Sequence, residues 1–346
     1  MERGQFSVSA APTLSKKLLA WFDENRRDLP WRHTRDPYSI WVSEVMLQQT
    51  RVAVVLDRYR PFLDCFPTVS ALARAAEANV LALWSGLGYY RRARMLHKAA
   101  QVVVAECDGQ MPTTAASLRK LPGVGAYTSA AIASIAYGEA VAVVDGNVER
   151  VVQRIAGLGS ESATGQTQLD RQIKELAENL LDPDRPGDHN QAMMELGATI
   201  CLPRNPLCLQ CPVSQFCETR GEHPTPQRAR MTRQDAAYAL ALRAGATETE
   251  ILLAQRGVWE TVMPGMWELP TLLEVQIPEP AQLMAVRHAI MQVNYAVTIR
   301  NVPEPDVDTL TRPSEHRSWV PLSELARLPL TGLARKVLLR AKLAEF

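Results

Sequence analysis

The sequence predicts two domains, a larger all-α one followed by a smaller α+β one, and three observations carry that prediction. The chain has 346 residues, more than a single hydrophobic core usually serves. Over residues 14–198 apolar side chains recur at three- and four-residue spacing, the period of a helix. Beyond the stretch His223-Pro224-Thr225-Pro226 the pattern shortens to that of strands.

In the first domain, residues 40–49, 80–83, 95–105 and 173–181 each gather apolar side chains on one helical face, and Pro67, Pro112, Pro122 and Pro183 mark breaks between helices. Residues 220–233 carry no apolar period and read as an extended linker. After it, residues 236–243, 251–255, 297–302 and 318–320 read as strands, and 323–328 and 332–343 as helices. The expected boundaries are therefore 12–219 for the helical domain, 220–233 for the linker and 234–346 for the α+β domain, with no internal repeat. Apolar residues make up 47% and charged residues 22%, the balance of an ordinary globular protein. A net charge of +1 argues against a histone-like binder, but a local basic patch is enough to hold DNA. Arg91, Arg92, Arg94, His97 and Lys98, beside Tyr89 and Tyr90, supply one such patch; a solvated helix face is the alternative reading. No apolar run approaches the ~20 residues of a membrane span, and residues 1–17 lack a signal-peptide core, so a cytoplasmic chain with no membrane partner is expected.

The chemistry concentrates in two places. Leu121-Pro122-Gly123-Val124-Gly125-Ala126-Tyr127-Thr128 puts Gly123 and Gly125 in a short turn opening onto a helix near Tyr127, aiming backbone N–H groups where a phosphate could sit. The glycine pair alone reads equally well as an ordinary turn between helices. About twenty residues later Val144-Asp145-Gly146-Asn147 adds a carboxylate on a second turn. Cys201, Cys208, Cys211 and Cys217 then crowd one proline-rich loop. Four thiols so close suit a metal centre better than disulfides in a reducing compartment, and one irregular loop with one C-x-x-C pair suits a [4Fe–4S] cluster better than zinc. Cys65 and Cys107, in helical apolar surroundings, are expected to be core thiols.

These features resemble the helix-hairpin-helix DNA glycosylases of the endonuclease III type. Within that group, Ser43-Glu44-Val45-Met46-Leu47-Gln48-Gln49-Thr50, Gly86-Leu87-Gly88-Tyr89-Tyr90 and Asn190-Gln191-Ala192-Met193-Met194-Glu195-Leu196-Gly197 resemble the MutY family of adenine DNA glycosylases. The resemblance is dense over residues 29–217 and fainter beyond. It implies an enzyme of bacterial base excision repair, monomeric, with one [4Fe–4S] cluster on the four cysteines of loop 201–217. Its partner would be double-stranded DNA containing an adenine mispaired with 8-oxoguanine or guanine.

It also implies roles that can be weighed against physical need. Glu44, among Trp41, Val42, Val45, Met46 and Leu47, should have a raised pKa and act as the general acid toward adenine N7. Asp145, at a helix N-terminus, should stay ionised and stabilise the sugar cation, with a transient covalent link to the sugar carbon as an alternative. Read alone, Asp145 is a helix cap and Glu44 a surface residue; the constellation reverses both readings. Tyr127 stands where endonuclease III-like enzymes carry a lysine that forms a Schiff base. A phenol cannot do that chemistry, so a monofunctional glycosylase that leaves an abasic site is expected, with the Tyr127 hydroxyl near Glu44. Asn147 would orient Asp145 or the attacking water, and Glu149 lies where some members carry a product-trapping lysine.

By the same resemblance Gln49, Thr50, Leu87 and Tyr89 press into the base stack once adenine has been flipped, and Arg32 lies near the base pocket; packing is the alternative for each, most of all for Trp31 and Trp41. The C-terminal domain resembles the Nudix-like module that inspects the opposite strand, without the acidic box that would hold magnesium. One departure stands out. After Arg287-His288-Ala289 the family shows Phe-Ser-His or Phe-Thr-His, whereas this chain has Ile290-Met291-Gln292, leaving 8-oxoguanine recognition to Gln292 and Asn294 or weakening it. Two other readings are a glycosylase for another mispaired or damaged base on the same scaffold, and a catalytically silent DNA-binding iron–sulfur protein. Intact Glu44 and Asp145 speak against the second.

Overall fold

Proline and capping residues punctuate the helical region where its sequence places the breaks. In the computed structural model the helices are α1 (Ala11–Asn25), α2 (Pro37–Leu47), α3 (Val52–Cys65), α4 (Val69–Arg74), α5 (Glu77–Leu83), α6 (Arg91–Glu106), α7 (Ala115–Leu118), α8 (Ala126–Tyr137), α9 (Gly146–Ala156), α10 (Gly165–Leu180) and α11 (Pro186–Thr199). Pro67, Pro112, Pro122 and Pro183 all fall between helices. The structure describes residues 10–158, 165–222, 231–274, 282–313 and 316–345.

The chain divides into two units. One combines residues up to Ala73 with Lys98–Gln227; the other combines Arg74–His97 with Arg228–Phe346. The helical domain expected over 12–219 is thus interrupted, because residues 74–97 pack with the C-terminal chain. Most of the expected linker, 223–230, lies outside the described residues, and Thr232 and Arg233 already belong to a strand.

In the first unit, α1, α9, α10 and α11 share a core in which Leu14, Phe22, Val151, Ile173 and Met193 are buried. Helix α8 is buried from Thr128 to Ile135, and its Ala and Ser side chains let neighbours come close. A Cβ on Gly187 of α11 would stand 2.7 Å from the Ser134 carbonyl oxygen of α8. Helix α2 packs on α8, and α11 packs on both α8 and α9. Trp31 and Trp41 are core residues. Cys65 and Cys107 are not: Cys65 is exposed and Cys107 half-buried, because the last residue of α3 and the residue after α6 leave the apolar face as their helices end.

In the second unit, β1 (Thr232–Leu240), β5 (Gln282–Ile290) and β6 (Val293–Asn301) form one sheet in the order β1-β6-β5, with β1 parallel to β6 and β5 antiparallel to it. A second sheet joins β2 (Leu242–Ala244), β3 (Thr249–Gln255), β4 (Trp267–Glu268) and β7 (Arg317–Pro321), all antiparallel around β3. Helices α12 (Val307–Leu310) and α13 (Gly332–Arg340) complete it. Ile251, Val297, Ile299, Leu333 and Val337 sit in the core between sheet and helix. The helix expected over 323–328 is a 3-10 helix over Leu322–Arg327, and α13 ends at Arg340, short of the expected 343. Strand β5 was not legible, since only Val286 of its nine residues is fully buried and Arg287 and His288 blur its alternation. Among the described residues no helix is long and apolar enough to cross a membrane.

Candidate active site

Helix α2 begins where Asp36 accepts hydrogen bonds from the Tyr38 and Ser39 N–H groups and Pro37 fills the first turn. From there it is buried along most of its length, and Glu44 goes in with it, 5% exposed. The Tyr127 hydroxyl, from the first turn of α8, donates to Glu44 Oε2 at 2.5 Å. Burial pushes the Glu44 carboxyl up to about 7; the Tyr127 hydrogen bond and the Arg32 charge pull it down, and the Asp145 charge pushes it up. Glu44 is thereby poised to hold and release a proton near neutrality. Burial and the neighbouring carboxylate raise Tyr127 well above the ordinary phenol range, so it stays a donor.

The hairpin lies between α7 and α8. Thr114 caps α7 with a capping box, and Gly123, at φ +74°, makes a turn that an L side chain would strain. Gly125 is the N-cap of α8, with no side-chain cap and open space where a Cβ would stand, so the first turn of α8 faces outward bare.

Asp145 caps α9. Its Oδ1 accepts from the N–H groups of Asn147 (3.0 Å) and Val148 (2.8 Å), while Oδ2 accepts from Asn147 Nδ2 at 3.0 Å. Asp145 is thus a helix cap: one oxygen is fixed by backbone N–H groups, and the other accepts from the Asn147 side chain. The loop before Asp145 is braced by buried Asn190, which donates to Ser134 Oγ and Val141 O and accepts from the Val143 N–H, each within 3.0 Å. Glu44, Tyr127 and Asp145 thus come from α2, α8 and the start of α9, and Glu44 feels the charge of Asp145.

Several site features were not singled out from the sequence. Glu195 of α11, 1% exposed, receives Arg27 Nε and Nη2 at 2.7 Å each and Arg32 Nη2 at 2.8 Å. Burial alone would raise its pKa, but the hydrogen bonds from Arg27 and Arg32 hold it down to about 2. Arg32, expected near the base pocket, is committed inward: it also donates to Arg27 O and lies over the Phe22 ring. Arg150 of α9 donates to Asn147 Oδ1 (2.9 Å), Gly197 O (2.7 Å) and Cys201 O (2.8 Å). Gly197 itself is a close approach, since a Cβ there would lie 2.6 Å from Asn147 Cβ. The motif 190–197 carried the signal for Glu195, a charge among methionines and leucine; nothing local marked Arg27 as its partner.

Of the expected DNA-contacting residues in the first unit, Gln49 is exposed with φ +55°, and half-buried Thr50 donates to Gln48 O. Gln48 Nε2 donates to Thr128 Oγ1, tying the end of α2 to α8. In the second unit Tyr89 is 54% exposed with φ +47°, while Leu87 is buried. Left-handed backbone in non-glycine residues costs about 1–3 kcal/mol each and persists where neighbours over-determine it. The expected basic patch is largely consumed: His97 and Tyr90 are buried, Arg94 pairs with Glu77, and Arg92 donates to Leu87 O and Gly88 O, leaving Arg91 and Lys98 exposed. Ile290-Met291-Gln292 lies at the turn between β5 and β6, with Met291 77% exposed and Asn294 also exposed.

The four cysteines carry no disulfide and are half-buried in the loop after α11. Cys201 and Cys211 pack on the first unit's core, and Cys211 feels the charges of Cys201, Cys208 and Cys217, so the four thiols share one neighbourhood. Buried Arg154 shapes the loop, donating to Leu202 O at 2.6 Å, Pro203 O at 3.0 Å and Cys201 Sγ at 3.4 Å. Among the described residues no three His, Cys, Asp or Glu side chains close on a point as ligands of a single ion do. Four thiols in one neighbourhood are the donor set that an iron–sulfur cluster takes.

Residues 42–193 match the model of HhH-GPD superfamily base excision DNA repair proteins, and residues 201–217 match the iron-sulfur binding domain of endonuclease III. The human protein named adenine DNA glycosylase is 51% identical over 222 residues, covering 62% of this chain and 40% of that one. Its namesake from Mycolicibacterium smegmatis is 44% identical over 202 residues, covering 57% and 67%. A solved thermostable thymine-DNA glycosylase superposes with a TM-score of 0.55 at 30% identity, over 61% of this chain and 97% of that one. The chain spans about two fifths of the length of the mammalian relatives it matches.

Proposed function

The chain belongs to the adenine DNA glycosylase family, within the HhH-GPD superfamily of base excision DNA repair proteins, and on that basis we propose that it hydrolyses the N-glycosidic bond of adenine mispaired with 8-oxoguanine or guanine in duplex DNA. The observation that carries the reading is the buried Glu44, raised to about 7, bonded to Tyr127 and feeling the charge of Asp145, the cap of α9. Breaking the bond needs a proton on the leaving base and negative charge beside the sugar. Glu44 delivers its proton to adenine N7, and the C1′–N9 bond breaks with its electron pair leaving on the base. Asp145 Oδ2 stabilises the oxocarbenium-like sugar, water adds to C1′, and the proton that water loses restores Glu44. Asn147 holds the Asp145 carboxylate in place, and Tyr127 holds Glu44.

With tyrosine at position 127 no amine attacks the sugar, so the product is an abasic site in an uncut strand. The bare N-terminus of α8 and the Gly123–Gly125 turn grip a backbone phosphate. Gln49, Thr50 and Tyr89 fill the stack left by the flipped adenine, buried Leu87 is left to packing within its loop, and Arg32 supports the base pocket from within. Cys201, Cys208, Cys211 and Cys217 hold one [4Fe–4S] cluster, which ties the loop after α11 together. The C-terminal domain, Nudix-like in this reading, inspects the opposite base through Gln292 and Asn294, with weaker discrimination of 8-oxoguanine from guanine than a histidine would give.

The test is single-turnover excision from duplexes carrying adenine opposite 8-oxoguanine, guanine, cytosine or thymine, developed with and without alkali. Fast strand scission only after alkali, and only opposite the two purines, is the expected result. Equal rates opposite all four bases would refute the substrate assignment, scission without alkali would refute the monofunctional one, and release of thymine in place of adenine would move the chain to another base on the same scaffold.

A further inference from the structure

Residues 74–97 belong to the same unit as the C-terminal chain, and they carry the loop Gly86-Leu87-Gly88-Tyr89. The backbone of that loop is unusual: φ is +97° at Gly86, +69° at Gly88 and +47° at Tyr89. Glycine takes positive φ freely, so the cost falls on Tyr89, whose left-handed backbone persists where its surroundings over-determine it. From within, Trp84 Nε1 donates to Gly88 O at 3.1 Å, and Arg92 Nη2 donates to Leu87 O and Gly88 O while its guanidinium lies 5.5 Å from the Tyr89 ring centre. From the C-terminal chain, one carbonyl holds both ends. Leu330 O accepts from Tyr90 Oη at 3.0 Å and from Ser85 Oγ at 3.4 Å, and Arg335 Nη1 donates back to Ser85 O at 3.4 Å. All four residues are buried.

Leu330 is itself fixed. It bridges to Trp267 of β4, Trp267 N–H donates to Pro329 O, and Thr331, beside it, caps α13. A second tie lies at Arg94, which donates to Pro264 O at 2.6 Å and pairs with Glu77.

We infer that the Leu330 junction makes the C-terminal chain the holder of the Gly86–Tyr89 loop, with Ser85, Tyr90 and Arg335 acting as positioning residues that present exposed Tyr89 to DNA. The presentation of Tyr89 to DNA rests on the proposed glycosylase reading; the holding of the loop does not. The hairpin turn at Met291-Gln292 and the Tyr89 loop belong to the same unit.

The test uses the full chain with Ser85→Ala and Tyr90→Phe combined, which removes both hydrogen bonds to Leu330 O and leaves the ring at position 90 in place. Hydrogen exchange of the amides over residues 86–90 should quicken about tenfold, with α8 and β3 unchanged, as loss of buried hydrogen bonds local to one loop demands. Unchanged exchange there, or a rise spread equally over the whole unit, overturns the inference whether or not the protein excises adenine. A second arm reads function: Tyr89→Ala and the double variant should each slow adenine excision opposite 8-oxoguanine, and combining them should slow it no further than Tyr89→Ala alone. Multiplicative losses in the combined variant would overturn the assignment of Ser85 and Tyr90 to Tyr89. If the wild type excises nothing, the glycosylase reading fails while the exchange result still decides whether the junction holds the loop.

Discussion

Glu44 and Glu195 occupy similar sequence settings, each a lone charge among apolar residues on a buried helix, yet they end on opposite sides of the ordinary carboxylate range. Burial carries Glu44 up to about 7 against the pull of the Tyr127 hydrogen bond, whereas at Glu195 burial is outweighed by hydrogen bonds from two guanidinium groups, which bring it down to about 2. The first is therefore available as an acid near neutrality and the second is a fixed anion. Excision should fall as pH rises through about 7, because the protonated form of Glu44 is the active one. The Tyr127 hydrogen bond lowers the Glu44 pKa, so Tyr127→Phe should move that limb of the rate–pH profile upward. A profile that stays in place, or moves down, would contradict the pairing. Glu44→Gln should cut single-turnover excision by about 10²–10⁴-fold with DNA binding still measurable, the range for loss of a general acid.

At the scale of elements, the catalytic turn is held by helix packing more than by local sequence. Helix α11 reaches α9 only because position 197 has no side chain. Gly197→Ala would drive a methyl into Asn147 and shift the residue that aims Asp145. The substitution should cost about 1–3 kcal/mol of stability, as overpacking does, and also slow excision per folded molecule. Gly187→Ala is the control: it clashes with the α8 backbone at Ser134 and Ile135 and should lower the melting temperature with a smaller loss of rate. Equal rate losses in the two variants would show that α11 acts only as scaffold. The cysteine loop is tied to α9 through Arg154 and Arg150. Serine in place of Cys201, Cys208, Cys211 or Cys217 should therefore remove both bound iron and its visible absorbance and lower the melting temperature; full iron content in any one variant would remove that cysteine from the ligand set.

For the whole molecule, acid stability follows from two buried groups on α11. His189, bonded to Ser15 Oγ at 3.0 Å, is pushed by burial from 6.5 down to about 4. The unfolded chain thus binds a proton there that the folded one refuses, and its contribution, present above about 6.5, is lost as pH falls toward 4. That loss is about 3 kcal/mol over the window. Glu195 adds a similar loss lower down, from 4.5 to about 2. Urea unfolding followed from pH 7 to 4 should show stability falling across that window, and His189→Gln should flatten the slope; an unchanged slope would exclude His189 as its source. The sequence alone determined the helical character of the first region, the helix breaks at Pro67, Pro112, Pro122 and Pro183, the glycine hairpin, the aspartate after it and the four-cysteine loop, because period, backbone freedom and donor chemistry are local properties. It also marked Glu44 as a carboxyl in apolar company. Tertiary structure decided what locality cannot carry: that Arg27 and Arg32 quench Glu195, that Arg150 and Gly197 seat Asn147, that β5 is a strand despite its weak alternation, and that residues 74–97 pack with the C-terminal chain. Each of those rests on partners distant in sequence, and the charge, space or hydrogen bond that a partner supplies exists only once the chain has folded.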